Sequence, residues 1–456
     1  MVAGSMTRFA STDRSQAFLL PPDLKDWVPE DDLAHFVIEA VERVDISAFQ
    51  VNVQGSGSEQ YHPRMMLALV IYCYANGIFS SRRIERATHR DIGVRFVAAN
   101  RHPDHDTICA FRRANGPAIE TCFVTVLELA AELKLLKVGI VSVDGTKIDA
   151  SANKHKSVRY DRAAELRAQL RLEIAELMAK AEVADVSGEA DAQALPQEIA
   201  QREQLRAKLD AACERMEKEA KARAEQERAD YERRKAVYET RNGAGRPPSP
   251  PSDTPPPDQQ SNLTDPDSRI MRKSKRSEYR QSYNAQAAVD ADGSQLILGR
   301  GVSQCASDAN ELVGAVDAIP SSIGAPSCVL ADTGYTTGDE VAELERRGIE
   351  VLVATRGDVR RKPHDFRPMQ DPKPVIEPKL EWLKAMKAKL EGAAARAKYK
   401  LRKQTVEPVF GIIKQVLGFR QFLLRGIANV RLEWSLVTLA YNMKRLHRLT
   451  ATARAA

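Results

Sequence analysis

The sequence predicts an α/β core that is preceded by a helical region and interrupted by two long helices. Three observations support this fold class. Short β-branched runs alternate with helical segments in the second half of the chain, apolar residues follow helical spacing up to about residue 135, and 160–241 is dominated by alanine and charged residues. At 456 residues the chain exceeds one ordinary core, so we expect two or three domains.

The charge of the chain is uneven. Lys and Arg number 68 against 62 Asp and Glu, which gives a formal net charge of +6, and the 43% hydrophobic content is that of a soluble globular protein. Residues 381–456 alone carry 16 Lys and Arg against 4 Asp and Glu. A basic terminal block of this density predicts a polyanionic partner, most often nucleic acid.

The sequence predicts a cytoplasmic protein. Residues 1–20 mix Arg, Ser and Asp without an apolar core, so we interpret them as a disordered lead rather than a signal peptide. The longest apolar run, Met65 to Cys73, is too short to cross a bilayer, and no membrane partner is expected. The six cysteines form no C-x-x-C pair and no zinc-like cluster, which is typical of reduced, buried thiols.

Residues 21–135 are predicted to form a helical N-terminal domain that binds DNA. Met65 to Tyr74 is apolar on all sides and predicts the central helix of this domain. Arginine-rich helical segments joined by tight turns follow it, as in helix-turn-helix packing. The candidate DNA-binding residues are Arg82, Arg83, Arg112 and Arg113. The alternative is an ordinary helical bundle with a solvated basic face.

The first core strand is predicted within 136–159, where Val138 to Ala150 reads VGIVSVDGTKIDA. Its β-branched residues are typical of a buried strand, and Asp144 follows them directly before Gly145. A carboxylate in this apolar setting needs compensation. On this stretch alone, a metal ion, a buried Arg or Lys, and a turn that donates backbone amides all remain open.

Residues 160–242 are predicted to form two long helices, as in an antiparallel coiled hairpin, and 243–262 is interpreted as a Pro-rich linker. The rest of the core is predicted within 263–456. Its expected elements are strands at 283–290, 296–302, 328–331 and 350–354, helices at 308–318 and 337–348, and basic helices from 393 onward. The second of these helices is expected to begin with a capping box at Thr337 to Glu340.

Together with the first strand, these elements give the order β, β, β, α, β, α, β. This order is the layout of a ribonuclease-H-like core, with a hairpin early and parallel crossovers late. The coiled helices are then an insertion between the first two core strands.

Two carboxylates share a context, since Asp144 and Asp332 each follow an apolar run at a predicted strand end. Neighbouring strands would bring them together, and a cation that prefers hard oxygen ligands, such as Mg²⁺, would remove their repulsion. Glu407 is the best candidate for a third ligand of a two-metal site. It lies between Lys403 and Lys414 on a basic helix, so a surface ion pair is the alternative. Other acids are less favoured as ligands: Asp149, Asp290, Asp308 and Asp339.

Several motifs in this order make the chain similar to a known family. They are Tyr61-His62-Pro63, Ser80 to Ala87, Arg101 to Arg113, Val143 to Lys147, Tyr283 to Gln286, Ala331 to Tyr335, Val406 to Gly411 and Arg425-Gly426. The set resembles the DDE transposases of bacterial insertion sequences, in the branch with a helical N-terminal domain. The resemblance implies that Asp144, Asp332 and Glu407 are the catalytic metal ligands.

Related enzymes carry a Y-x2-R-x3-E-x6-K signature around the glutamate. Glu407 and Lys414 keep the last spacing, and Tyr399 and Arg402 keep the first. Lys403 stands where the signature places its arginine, so the arginine role stays open between Arg402 and Lys403. A lysine would bind phosphate only as a point charge.

By this resemblance the expected function is that of a transposase that binds the terminal inverted repeats of its element. It would cut and rejoin DNA by two-metal phosphoryl transfer, with Mg²⁺ as the cofactor and Mn²⁺ as a substitute. Double-stranded DNA is the expected partner, both as element ends and as target, and cutting two ends together implies a homodimer. The protein would be nucleoid-associated when bound to DNA. The alternative is a catalytically silent, transposase-derived DNA-binding protein.

Overall fold

The computed structural model describes residues 23–51, 60–187, 195–240, 247–273, 277–335, 337–355 and 380–455. The lead predicted at 1–20 lies outside these residues. The described part of the chain consists of a helical N-terminal region, a mixed sheet with flanking helices, and a pair of long helices.

Six α-helices lie in the described part of the N-terminal region. They are α1 (Leu33–Glu42), α2 (Pro63–Ala75), α3 (Ser81–Arg90), α4 (Ile92–Val97), α5 (His105–Ala114) and α6 (Gly116–Glu132). Three of these helices have an aspartate as their N-cap. The side chains of Asp32, Asp91 and Asp104 each accept a backbone N–H of the first turn. The all-apolar segment from Met65 to Tyr74 lies in α2, which is buried on nearly every face.

Strands dominate the next part of the chain. They are β1 (Ile140–Asp149), β2 (Ser157–Arg159), β3 (Gln260–Asn262), β4 (Arg269–Met271), β5 (Arg280–Asp290), β6 (Ile297–Ser303), β7 (Cys328–Ala331) and β8 (Glu350–Val353). The main sheet has the order β4-β5-β1-β7-β8, and β6 also pairs with β5. β1 is antiparallel to β5 and parallel to β7, and β7 is parallel to β8. β2 and β3 pair separately.

Two long helices, α7 (Tyr160–Ser187) and α8 (Leu195–Thr240), stand between β1 and β5 in the chain. They run antiparallel, since Tyr160 Oη is 2.9 Å from Glu217 Oε1 while Arg202 Nε is 3.1 Å from Glu173 Oε2. With β2 they bury a small core of their own. Its residues are Val158, Ala163, Leu170, Leu209, Ala212, Cys213 and Met216.

The remaining helices are α9 (Leu312–Asp317), α10 (Gly338–Arg346), α11 (Glu381–Glu391), α12 (Ala393–Gly411) and α13 (Ile427–Ala455). A π-helical turn, Ile412–Val416, directly follows α12. Pro408 lies inside α12 and has no N–H to donate to the carbonyl of Gln404. The side chain of Gln295 donates to that carbonyl at 2.8 Å, so α12 continues past the proline with its freed acceptor satisfied.

One hydrophobic core joins the N-terminal helices to the sheet. It includes Leu67 of α2, Phe123 of α6, Val143 of β1 and Trp434 of α13, all at most 1% exposed. α13 packs against α2, α6 and β6. The predicted boundary near residue 135 therefore separates segments that share a core. Of the helices that the structure describes, none has both the length and the apolar composition to cross a membrane.

The prediction of a capping box at Thr337 to Glu340 is wrong. Thr337 precedes α10 without capping it, and its hydroxyl donates to the carbonyl of Ala309. Glu340 instead accepts the backbone N–H groups of Leu312 and Val313, both at 3.3 Å, at the start of α9. The acid of the expected box thus caps the neighbouring helix.

Candidate active site

Asp144 and Asp332 lie on neighbouring strands of the main sheet. β1 and β7 pair only as far as Ser142 and Leu330, and Asp332 follows the end of β7. A backbone N–H binds each carboxylate, from Gly145 to Asp144 at 2.9 Å and from Gly334 to Asp332 at 2.7 Å. Burial, followed by the charge of Asp332, raises the pKa of Asp144 to about 6. The two acids are therefore close enough to repel each other.

Arg402 of α12 links two of the predicted ligands. Its Nη1 is 3.3 Å from Asp144 Oδ2 and its Nη2 is 3.1 Å from Glu407 Oε1, and its side chain is 12% exposed. Lys403 is exposed. The structure therefore directs Arg402, and not Lys403, at the carboxylates. Two compensations considered for Asp144 from the sequence, an arginine and a backbone amide, are both present.

Glu407 lies at the edge of the site. Its side chain is 49% exposed and is bound to Arg402. Among the described residues, no three His, Cys, Asp or Glu side chains converge closely enough to hold a metal ion. The donors fit a hard divalent cation in kind, because all three are carboxylates. The guanidinium of Arg402 supplies positive charge between Asp144 and Glu407 in the arrangement seen here.

Lys414 and Tyr399 support β1 and β7 beside the carboxylates. The Nζ of Lys414 donates to the hydroxyl of Thr146 and, at 3.3 Å, to the carbonyl of Lys147. Burial, and then the nearby charge of Lys273, lower the pKa of Lys414 to about 8. The hydroxyl of Tyr399 donates to the carbonyl of Ala331 at 3.1 Å, directly before Asp332. Together with Arg402, these signature residues contact the interior of β1 near Asp144 and the end of β7 before Asp332.

A second polar cluster surrounds Gly145, and sequence reasoning missed it. The carboxylate of Asp308 accepts Asn284 Nδ2 at 2.6 Å and Gln286 Nε2 at 2.8 Å, and lies 3.3 Å from Lys147 Nζ. A Cβ on Gly145 would come closer than 3.0 Å to Asp308, Gln286 and Asn284, so the glycine makes room for this cluster. The Tyr283 to Gln286 motif was the available signal, since it supplies both amides.

Two family models match the chain. Residues 22–114 match a family described as a transposase domain, and residues 369–447 match a transposase DDE domain. The two matches support an insertion-sequence DDE transposase. The first match covers α1 to α5 of this transposase, and the second covers Glu407 with its signature residues. Searches among curated proteins and among solved structures found no significant match.

Of three other acids weighed from the sequence, two have partners in this transposase and one is exposed. Asp149 binds Lys273 and Arg280 through its carboxylate. Asp290 accepts the N–H and the hydroxyl of Ser294 in the β5–β6 turn. Asp339 is exposed in the first turn of α10. The contacts of Asp149 and Asp290 explain these two acids without a metal ion.

The four N-terminal arginines of the transposase differ in exposure. Arg82 and Arg83 on α3 and Arg113 on α5 are exposed. Arg112 is 3% exposed, and its guanidinium donates to the hydroxyl of Tyr74 at 2.8 Å and to the carbonyl of Phe79 at 3.1 Å. The expectation that Arg112 contacts DNA is therefore corrected, because its donors serve the packing of α5 against α2.

Proposed function

We propose that this transposase cleaves DNA at the ends of its own element and joins those ends to target DNA, with Asp144, Asp332 and Glu407 as ligands of divalent metal ions. The supporting observation is the pair of carboxylates on adjacent strands, with Arg402 linking Asp144 to Glu407. Carboxylate oxygens suit Mg²⁺ and, as a substitute, Mn²⁺. When bound, such ions supply Lewis acidity that activates the attacking oxygen and stabilises the leaving oxygen.

The proposed reaction has two steps. In the first, water adds to a phosphodiester at the element end, the P–O bond to the 3′ oxygen breaks, and a 3′-OH and a 5′-phosphate result. In the second, that 3′-OH attacks a phosphodiester of target DNA, and the new P–O bond replaces the one that breaks. The second step therefore conserves the number of phosphodiester bonds.

Arg402 and Lys414 are proposed to position DNA phosphates. The forked guanidinium of Arg402 can hold two phosphate oxygens once it no longer binds Asp144 and Glu407. Lys414 acts as a point charge next to Thr146. Tyr399 acts indirectly, because its hydroxyl holds the end of β7. Lys403 is exposed, so its proposed role is limited to a peripheral contact with the DNA backbone.

We further propose that the main sheet is a ribonuclease-H-like core. The support is its spatial order β6-β5-β1-β7-β8, with the first three strands antiparallel and the last two parallel to β1. The long helices α7 and α8 would then be an insertion between the first two strands of that core. Their proposed role is in dimerisation or in clamping DNA.

The N-terminal helices are proposed to recognise the inverted repeats through Arg82, Arg83 and Arg113. Their exposure on α3 and α5 leaves them accessible to phosphates and base edges. Two element ends cut in one complex require two active sites, so we propose a homodimer at that stage. Bound to its element, the protein would be associated with the nucleoid.

A catalytically silent DNA-binding protein is the second candidate. The observation that favours it is the ion pair between Arg402 and Glu407, which keeps Glu407 apart from the other two carboxylates in this arrangement. This protein would bind element ends without nicking them. The presence of all three acids favours the enzyme.

The deciding experiment compares wild-type protein with Asp144→Asn on DNA that carries the inverted repeats flanking the gene. Wild type should nick this DNA only with Mg²⁺ or Mn²⁺. Asp144→Asn should bind equally well but nick at least ~100-fold more slowly, since losing even an outer-shell partner of a metal costs up to that much. The control is Asp339→Asn, an exposed acid, which should nick normally. Wild-type rates for Asp144→Asn would contradict the mechanism.

A further inference from the structure

A cavity of about 600 Å³ opens at the carboxyl end of β1. Four cationic side chains line this β1-end cavity, together with two acidic ones. They are Lys154, Lys156, Arg280 and Arg425, with Asp149 and Glu278. None of the six belongs to the proposed metal ligands, to the signature or to the exposed arginines of α3 and α5.

We propose that the β1-end cavity binds the DNA sugar–phosphate backbone about five nucleotides from the cleaved phosphate. This inference rests on the proposed function. β1 rises about 3.3 Å per residue, so Asp149 lies about 17 Å from Asp144 along the strand. Phosphates of one DNA strand are spaced about 3.4 Å along the helix axis, and five such steps cover that distance.

The two acids of the cavity hold cations in place. Asp149 has a side chain that is 15% exposed, and it lies 3.0 Å from Lys273 Nζ and 3.3 Å from Arg280 Nη1. Arg280 is itself 61% exposed, so its guanidinium also faces solvent. Glu278 is 4.0 Å from Lys154 Nζ. The two acids offset two of the four positive charges, which leaves the lining with a formal net charge of +2.

Two further cationic side chains line the cavity. The Nε of Arg425 donates to the carbonyl of Ser151 at 3.0 Å, which anchors this exposed side chain at the cavity. Lys156 is exposed and has no ion-pair partner within the described part of the chain. Both are therefore available to an incoming anion.

Cations also connect the catalytic carboxylates to the cavity along β1. Arg402 contacts Asp144, Lys414 contacts Thr146 and the carbonyl of Lys147, and Lys273 contacts Asp149 at the strand end. Each of these contacts is a hydrogen bond or an ion pair. Positive charge at several positions along β1 suits a polyanion with many phosphates better than a single small anion, which would meet only one position.

The test measures how DNA affinity depends on salt, with a short blunt duplex of arbitrary sequence as the probe. The variant is Lys154→Gln combined with Arg425→Gln. Its slope of log K against log salt should be shallower than that of wild type by about 1.8, since each lost phosphate contact removes about 0.9. The matched control is Lys134→Gln with Lys137→Gln, which removes two exposed charges just before β1. Its slope should equal that of wild type.

Phosphate-ethylation interference on element-end DNA locates the contact. Wild type should show interference about five phosphates from the nick, and the cavity variant should lose it. Equal slopes for the cavity variant and its control would overturn the inference. Should the double variant lose thermal stability, Lys156→Gln replaces it, with an expected change of about 0.9. Neither slope depends on cleavage, so failure of cleavage and failure of the cavity are observed separately.

Discussion

Arg402 and Lys403 are adjacent cations with different surroundings. Arg402 lies between Asp144 and Glu407 with most of its side chain covered, while Lys403 points into solvent. The difference follows from helix geometry, because consecutive residues are rotated by about 100° around the axis at 3.6 residues per turn. Only one of the two can face the sheet.

Arg402→Lys should slow Mg²⁺-dependent nicking by roughly 10²-fold, the cost of losing one preorganised donor. A lysine keeps the charge but cannot bind in the bidentate way of a guanidinium. Lys403→Ala, the matched control, should nick within about twofold of wild type, since surface changes away from a site are nearly neutral. Single-turnover nicking assays measure both rates. If Lys403→Ala were the slower variant, the assignment would be reversed.

Single residues show clearly what the sequence could predict. Asp144 and Asp332 were predictable as neighbours because each follows the apolar run of a predicted strand. The prediction that the first strand ends at Asp144 is wrong, since β1 continues to Asp149. Asp308 was not predictable, because its partner Lys147 is 161 positions away and no local pattern links them. Arg112 was misjudged, since an arginine in a basic segment gives no sign that its guanidinium is buried.

At the scale of elements, α9 depends on α10 for its start. α9 is only six residues long, and Glu340 accepts two of its first N–H groups. Such groups have no partner within the helix, and a short helix has few other bonds to compensate. The carboxylate of one helix therefore stabilises the next one.

Glu340→Ala should lower the free energy of unfolding by about 1 kcal/mol, the usual cost of losing an N-terminal cap. Urea denaturation followed by circular dichroism measures this change. Asp339→Ala removes the neighbouring exposed acid and should stay within about 0.5 kcal/mol of wild type. Equal losses in the two variants would mean that the effect comes from general charge and not from the cap.

Elements with strong local patterns were predictable, and those that depend on distant partners were not. The strands predicted at 283–290 and 328–331 correspond to β5 and β7, because runs of buried residues identify them. β2 and β3 are three residues each and exist through pairing with each other across about 100 residues. The π-helical turn after α12 likewise has no sequence pattern that we recognised.

At the scale of the whole molecule, α7 and α8 have a core separate from the main one. Leu209 is 1% exposed within it, whereas Leu172 on the same helix pair is 68% exposed. Two cores of this kind favour two units of unfolding, because neither contributes buried side chains to the other. The sequence predicted this pair but not its independence.

Leu209→Ala should reduce the protection of α7 and α8 amides by about 2–5 kcal/mol, the usual cost of this truncation in a core. The amides of β1 and β5 should keep their protection. Hydrogen exchange followed by mass spectrometry resolves the two regions. Leu172→Ala removes the same atoms from an exposed position and should leave both regions unchanged. Loss of protection in β1 after Leu209→Ala would show a single cooperative unit.

The packing of α13 against α2 and α6 has a consequence for biosynthesis. α2 has apolar residues on nearly every face, yet one of its packing partners is α13, which begins only at Ile427. During translation the part of that surface that α13 covers stays exposed until residues 427–455 have been added. A nascent chain of this transposase therefore presents an incomplete core until α13 has been made, and a chain stopped before α13 would expose it permanently.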